Sequence, residues 1–377
     1  MTTHIEGRVL ITGGAGFIGS HVADQLVALG YRVRALDNLN PQVHGQHAKR
    51  PVYLNPAVEL QIGDVRDPVA VRRALDGADS VVHLAAAVGV GQSMYQMRSY
   101  MDTNSVGTAT LLEQLAGRKA RRLVVASSMS IYGEGRYRAN DGAIHDWVCR
   151  TVPDLKAGAW DPLGPNGESL TPLPTPEQKL PMLNSVYALS KYDQERMCLM
   201  FGAAYDVPTV ALRLFNTYGP RQALSNPYTG VLAIFAARLL NGKPPVVFED
   251  GRQRRDFVNV RDVARAFVLA LSSEAAVGHA INIGSGASLS VLEIARALAQ
   301  VLRLPQTSAE IANRYRTGDI RHCFADTRLA RDLLGYEASV PLQDGLAELA
   351  EWLRAERAVD AYDVARGELE KRGLTLG

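Results

Sequence analysis

Between Arg8 and about Phe215, short and nearly unbroken apolar runs alternate with longer stretches in which apolar residues recur every three or four positions. The first kind reads as strands buried on both faces, the second as helices packed against them. The pattern predicts strands over 8–12, 31–37, 58–62, 80–85, 122–128 and 208–214, and helices over 18–29, 68–75, 93–116, 186–205 and 230–241. Strand and helix taken in turn predict an α/β fold with a parallel sheet covered by helices. From residue 216 the rhythm loosens. Short strands near 245–248 and 280–283 and helices near 262–272, 290–303 and 343–356 suggest a smaller α+β part, with part of its sheet and helices free to cross over. The domains expected are therefore 1–215, 216–355 and a charged, helix-prone, peripheral tail over 356–377. Residues 134–183, rich in Gly, Pro, Asn and Asp, break the pattern and read as a long irregular insertion of the kind that forms lids.

The segment Val9 to His21, VLITGGAGFIGSH, carries the first chemical signal. An apolar run ends in Gly13, Gly16 and Gly19, and an amphipathic run follows. In that order Gly13 allows a tight turn, Gly16 lets the backbone approach a pyrophosphate, and Gly19 lets helix and strand pack closely. The amides of Phe17 and Ile18 then face an anion at the positive end of the helix. This is a Rossmann doubly wound sheet in outline. The second strand ends at Asp37, 18 residues beyond Gly19, followed by Asn38. An acid there accepts from the adenine ribose 2′-hydroxyl and repels a 2′-phosphate, which predicts NAD rather than NADP. Further contacts belong at the carboxyl ends of the strands, at Asp64 and Val65, at Leu84, Ala85 and Ala86, and at Ser127 and Ser128. Asp64 can accept from the adenine amino group. The alanines leave room for a dinucleotide, although they equally suit a tight strand end.

Composition narrows the partners. At 377 residues, 47% hydrophobic and with a net charge of +2, the chain can bury a large core and makes no case for nucleic acid or membrane. Cys149, Cys198 and Cys323 show no paired spacing, which argues against a disulfide framework or a metal site and for a reducing, cytoplasmic setting.

Tyr187-Ala-Leu-Ser-Lys191 places a phenol and an ammonium on one helix face. The ammonium favours phenolate, bringing the tyrosine toward a general base. Ser128, at a strand end, can donate to the same substrate oxygen. With a dinucleotide site, these three residues can oxidise an alcohol.

Together, GGAGFIGSH, the Asp37 strand end, GDVRD, HLAA, SSMSIYG, YALSK, RLFNTYGP, GRQRRDFVNVRDVA, NIGSG and RTGDIRHCFAD occur in one order from Arg8 to Leu349. The chain resembles an extended short-chain dehydrogenase/reductase of the nucleotide-sugar epimerase/dehydratase family. The resemblance implies tightly held NAD, a C-terminal nucleotide-sugar domain and a homodimer built on two helices per subunit. It further implies that Asn104 supports the site and that Lys191 also meets the nicotinamide ribose. Asn216 would contact the sugar or its diphosphate, and Arg255, Arg316 and Asp319 the nucleotide. Both arginines equally suit surface ion pairs.

The family runs several reactions on one scaffold. Its dehydratases carry an Asp-Glu pair after the catalytic Ser or Thr, and here Met129 and Ser130 stand there. Decarboxylating relatives carry a Glu in this stretch, also missing here, and reductive members select NADPH, which Asp37 opposes. The reaction expected is 4-epimerisation through a transient 4-keto sugar. DNLNPQVHG, AAAVGVGQSMYQM and SSMSIYGEGRY resemble the branch acting on dTDP-L-rhamnose, whose product is dTDP-6-deoxy-L-talose, and Met129 with the apolar 88–90 stretch suits a 6-deoxy sugar. UDP-glucose or UDP-glucuronate 4-epimerisation, dehydration or reduction, and a non-catalytic NAD sensor are the alternatives. Tyr187 lies 59 residues beyond Ser128, a wider gap than in simpler epimerases, so the insertion could supply sugar contacts of its own.

Overall fold

Seven short apolar runs assemble into one parallel sheet: β1 (Arg8–Thr12), β2 (Arg32–Asp37), β3 (Glu59–Ile62), β4 (Ser80–His83), β5 (Arg122–Ser128), β6 (Thr209–Leu214) and β7 (Ala280–Ile283). The computed structural model describes residues 7–376 except 47–48, 224–229, 317 and 356–361. The strand order is β7-β6-β5-β4-β1-β2-β3, and every pairing is parallel. The order reverses between β1 and β4, so the crevice at the carboxyl ends of these strands is where an α/β sheet of this kind takes its ligand.

Both faces of the sheet are buried, which is why its strands read as continuous apolar runs. Along β1, Val9 and Ile11 face one core and Leu10 the other. The first core is closed by α1 (Phe17–Ala28). The opposite one is closed by α2 (Pro68–Ala74), α3 (Gly107–Leu115) and α4 (Val186–Tyr205). Next come α5 (Val231–Leu240), α6 (Val260–Ser272), α7 (Val291–Val301), α8 (Arg328–Leu334) and α9 (Leu342–Ala355). Leu232, Phe235, Ile294, Leu298, Leu346 and Leu349 from α5, α7 and α9 make a separate C-terminal core.

Several expectations change. The strand at 280–283, expected in the C-terminal part, is instead the edge strand β7 of the main sheet, with Ile281 opposite Leu212. Val263 and Phe267 of α6 pack in the α1 core, so the chain beyond 216 does cross back. Local pattern marks a strand but not its partner. The helix expected over 93–116 is broken into Val90–Ser93, Met97–Tyr100, a π-helical turn Met101–Val106, and α3. The wide turn aims Asn104 inward, its amide bonding Ala87 and Ser190, and such turns recur at functional sites. The insertion is not irregular throughout. Arg136–Ala139, Ile144–His145 and Leu170–Leu173 form a three-stranded antiparallel sheet, with Pro172 on an edge strand, where its missing N–H costs nothing.

The tail is not simply peripheral. Residues 356–361 and 377 lie outside the described residues, but α10 (Tyr362–Glu370) and Thr375–Leu376 are anchored at both ends. Thr375 pairs antiparallel with Arg316, Tyr362 lies under the Arg238 guanidinium, Leu369 sits on Gly91, and Arg372 stacks on Tyr95. Apolar residues at 365 and 369 alone could not announce those partners. Among the described residues, no helix is long and apolar enough to cross a membrane.

Candidate active site

The glycine turn is built by three different steric demands. Gly13 has φ +70°, and a Cβ there would lie 2.9 Å from Ala85 N. A Cβ on Gly19 would lie 2.3 Å from Gly13 O, so only glycine lets α1 approach β1. At Gly16 a Cβ would meet only Gly13 O, at 3.3 Å, which leaves the outer side of the turn open. Helix α1 begins at Gly16 with no side-chain cap and no acid in its first turn. Its first N–H groups, those of Phe17 and Ile18 among them, have no intrahelical acceptor and carry the positive end of the dipole. An uncapped helix start behind an open glycine fits a pyrophosphate.

Asp37 braces this loop. Its Oδ2 accepts from Ala15 N at 3.0 Å and its Oδ1 from Leu39 N at 2.9 Å. Beside it, Asn38 donates to Asp64 Oδ2 at 3.1 Å. Asp64 is forked by Arg66 at 2.9 and 2.7 Å, and these bonds bring its carboxyl down to about 2. Val65 is buried against Gly107, whose missing Cβ makes the room. Leu84 N bonds Thr12 O, Ala85 N bonds Thr12 Oγ1, and Ala86 leads to Ala87, clamped by Asn104. Asp37, Asp64 and the 84–86 strand end therefore line one edge of the sheet.

Tyr187 and Lys191 occupy the first two turns of α4, which Ser185 caps through Ala188 N at 3.0 Å. The phenol is buried beside Ser128. Burial pushes its pKa above 10, with Ser128 pulling the other way. This differs from the expectation that Lys191 would lower it, because the ammonium reaches along its own helix to Gln194 Oε1 at 2.7 Å rather than across to the phenol. Burial draws Lys191 itself down to about 8. The Ser127 hydroxyl is spent on Glu195 Oε2 at 2.6 Å, and Arg213 forks the same carboxylate, so the backbone of Ser127 is what remains to meet a cofactor.

Met129, next to Ser128, packs with Phe215 and Ile320 in one apolar cluster. Ser128, Asn216 and Asp319 each adjoin one residue of this apolar wall in sequence. The side-chain oxygen of Asn216 is buried and unpartnered, as expected of a group awaiting a ligand. Arg316 lies over the Phe248 ring and bonds Asp319 Oδ2 at 2.9 Å. Burial would raise the Asp319 carboxyl, but Arg316, Arg255 and Arg150 outweigh it and hold it low. Arg255 approaches Asp319 at 3.7 Å but spends its N–H groups on the carbonyls of Arg254, Ile320 and Arg321, which makes it a brace for this loop.

Sequence reasoning missed the residues that tie these pieces together. Gln194 shares the helical face of Lys191, a spacing that could have flagged it. Arg150, in the insertion, bonds Glu249 Oε1 and Asp319 O, both at 2.6 Å, and Glu134 Oε1 at 3.1 Å. Nothing local announces partners 99 and 169 residues away.

Comparison with known proteins agrees with this geometry. The chain matches the NAD dependent epimerase/dehydratase family over residues 9–147 and 162–284. It is 35% identical to a dTDP-L-rhamnose 4-epimerase of Burkholderia thailandensis over 358 residues, covering 93% of this chain and 96% of the relative. The UDP-glucose 4-epimerase of Thermotoga maritima, solved with UDP-glucose, superposes with a TM-score of 0.75 at 30% identity, covering 92% of this chain and 99% of that one. A UDP-glucuronic acid 4-epimerase from Bacillus cereus, in complex with UDP-glucuronic acid and NAD, superposes with a TM-score of 0.74 at 27% identity over 92% and 99% of the two chains. On these grounds the chain belongs to the NAD dependent epimerase/dehydratase family, and within it to the nucleotide-sugar 4-epimerases.

Proposed function

We propose that the protein inverts C4 of a nucleotide-linked 6-deoxyhexose, interconverting dTDP-L-rhamnose and dTDP-6-deoxy-L-talose. Gly13, Gly16, Gly19 and the first amides of α1 would hold the pyrophosphate of NAD, Asp37 its adenine ribose, and Lys191 its nicotinamide ribose. When bound, NAD supplies the two-electron chemistry, accepting hydride from C4 and returning it. The protein's own part is proton handling and orientation. Tyr187, as phenolate, takes the proton of the C4 hydroxyl, keeps it while C4 is planar, and gives it back after the ring has presented its other face. Ser128 donates to the same oxygen and fixes its distance from the phenol.

The observation that carries this reading is the buried Tyr187 phenol beside Ser128, with the apolar Met129 next in the chain. Elimination of water or loss of CO₂ needs a further acid or base. Met129 offers none, and the buried carboxylates of this region, Glu134, Glu195 and Glu249, are each held in an ion pair. Met129 is itself packed into the wall, so it supports an apolar C6 only indirectly, whereas Val88 and Val90 keep exposed apolar surface. The greater identity to the dTDP-L-rhamnose enzyme supports the same substrate. Exposed Met97 and Val106, together with Leu189 and Met200 on the adjoining α4, suit the face of a homodimer.

The test is separate incubation of the purified protein with dTDP-L-rhamnose, UDP-glucose and UDP-glucuronate, without added NAD, followed by proton NMR of C4. Interconversion of the dTDP sugar is the expected result. Turnover of a UDP sugar with none of the dTDP sugar would replace the substrate assignment, and no turnover with dinucleotide bound would favour a sensor.

A further inference from the structure

Lys191 is an ammonium buried in the protein, and its nearest carboxylate on α4 is already spent. Glu195 accepts two bonds from Arg213, at 2.7 and 2.9 Å, and one from Ser127 at 2.6 Å. The Cys198 thiol is pushed up to about 12 by burial and stays neutral. From β4 the buried His83 faces the same space, lowered to about 3, chiefly by burial and then by Lys191 itself. What meets Lys191 Nζ is a neutral amide oxygen, Gln194 Oε1, at 2.7 Å.

The orientation of that amide is not arbitrary. Thr108 Oγ1 donates its single proton to Asn104 O at 2.6 Å, so toward Gln194 it can only accept. It does so from Gln194 Nε2 at 2.8 Å. The same NH₂ reaches Ala85 O at 3.4 Å, while His83 Nε2 donates to Thr108 Oγ1 at 2.8 Å. With its nitrogen held by Thr108 and Ala85, the oxygen must face Lys191. His83 in turn meets Thr12 Oγ1 at 2.7 Å, and Thr12 accepts from Ala85 N at 3.2 Å. A hydrogen-bonded chain thus runs from the end of β1, beside the glycine turn, through His83, Thr108 and Gln194 to Lys191.

We propose that Gln194 is the positioning residue of this site, locked by Thr108 and Ala85 so that it aims the Lys191 ammonium while adding no charge to it. A carboxylate at 194 would hold the proton on lysine more tightly. An apolar side chain would leave the ammonium without an acceptor and favour the amine. The charge of Lys191 at neutral pH is therefore set by the choice of an amide at 194. The link to catalysis rests on the proton chemistry proposed above, but the charge of Lys191 can be read without any substrate.

The experiment is a titration of the chain's seven lysines by ¹³Cε NMR in the protein as purified with its dinucleotide, with Lys191 assigned by the signal lost in Lys191→Arg. Gln194→Glu should move the Lys191 midpoint up by about 1–3 pH units. Gln194→Met should move it down, with thermal midpoint and bound dinucleotide retained. The alkaline limb of kcat, where the ammonium is lost, should follow in the same opposite directions while KM changes less than kcat. Midpoints that stay put, or that move the same way in both folded variants, would overturn the proposal. If Gln194→Met fails to fold, the upward shift in Gln194→Glu decides alone. An NMR shift without epimerase activity would keep Gln194 in this role and refute the function instead.

Discussion

Asp37 Oδ2 accepts a hydrogen bond from Ala15 N at 3.0 Å, across 22 residues, so the acid proposed to meet an adenine ribose also holds the glycine turn in shape. Affinity and loop stability are therefore linked at one carboxylate. Asp37→Ala should leave the Ala15 and Leu39 N–H groups unpaired in a buried setting, at a cost of about 1–3 kcal/mol each if no water replaces the carboxylate. Purified Asp37→Ala is expected to carry less dinucleotide and melt earlier, measured by dinucleotide released on denaturation and by calorimetry. Full occupancy at unchanged melting would show that the brace is dispensable.

Two of the fingerprint glycines, Gly19 and Gly16, should fail differently. Gly19→Ala drives a methyl into Gly13 O and should cost up to about 3 kcal/mol of stability. Gly16 has an ordinary φ of −75° and an open side, so Gly16→Ala should cost about 1 kcal/mol or less. That methyl nevertheless sits where a pyrophosphate would approach, and the dinucleotide should be lost. Urea midpoints beside dinucleotide content separate the two effects.

Tyr187→Phe removes the proton acceptor while keeping the ring against Tyr100, whose centroid lies 6.4 Å away. Epimerisation should fall by about 10²–10⁴-fold with fold and dinucleotide retained. Because burial raises the phenol above its ordinary value, the oxidative half-reaction of the wild type should speed up as pH rises, until Lys191 loses its proton at about 8. Stopped-flow absorbance of the bound nicotinamide after mixing with sugar reads this directly.

Arg150 is buried between Glu134 and Glu249, whose side chains are 5% and 1% exposed. Arg150→Met should destabilise by about 3–5 kcal/mol, because it strands the buried Glu134 carboxylate and leaves Glu249 to Arg321. The double variant with Glu249→Gln should recover part of that loss. A double-mutant cycle in urea gives the coupling, and additivity within about 0.5 kcal/mol would mean the pair does not act together.

Acid should destabilise the fold partly through His83. Its pKa is about 3 in the folded state and 6.5 when unfolded, so the unfolded chain binds the extra proton between these values. The stability it contributes is complete above pH 6.5 and is lost as pH falls toward 3, at about 1.4 kcal/mol per pH unit. In His83→Gln, the fall of the urea midpoint between pH 6.5 and 4 should be shallower than in wild type.

What the chain states locally it states well. The glycine turn, the Asp37 strand end and the Tyr187–Lys191 spacing each lie within one strand–turn–helix unit or one helical face, where a short stretch of sequence dictates geometry. The runs from β1 to β6 were legible for the same reason: burial on both faces keeps most of them apolar, although Glu59 and Ile62 of the edge strand β3 are exposed.

Tertiary structure alone decided the rest. That Ala280–Ile283 would become β7, that the tail would reach Gly91 and Tyr95, and that Arg150 would be shared by Glu134, Glu249 and Asp319 depend on partners 16 to 278 residues away. Even the charge state of Lys191, a residue found by motif, is set by how α4 lies on β4 and which neighbours are already spent. Local pattern records what a segment can bury. Burial and hydrogen-bond satisfaction, which are properties of the assembled chain, select what it is buried against.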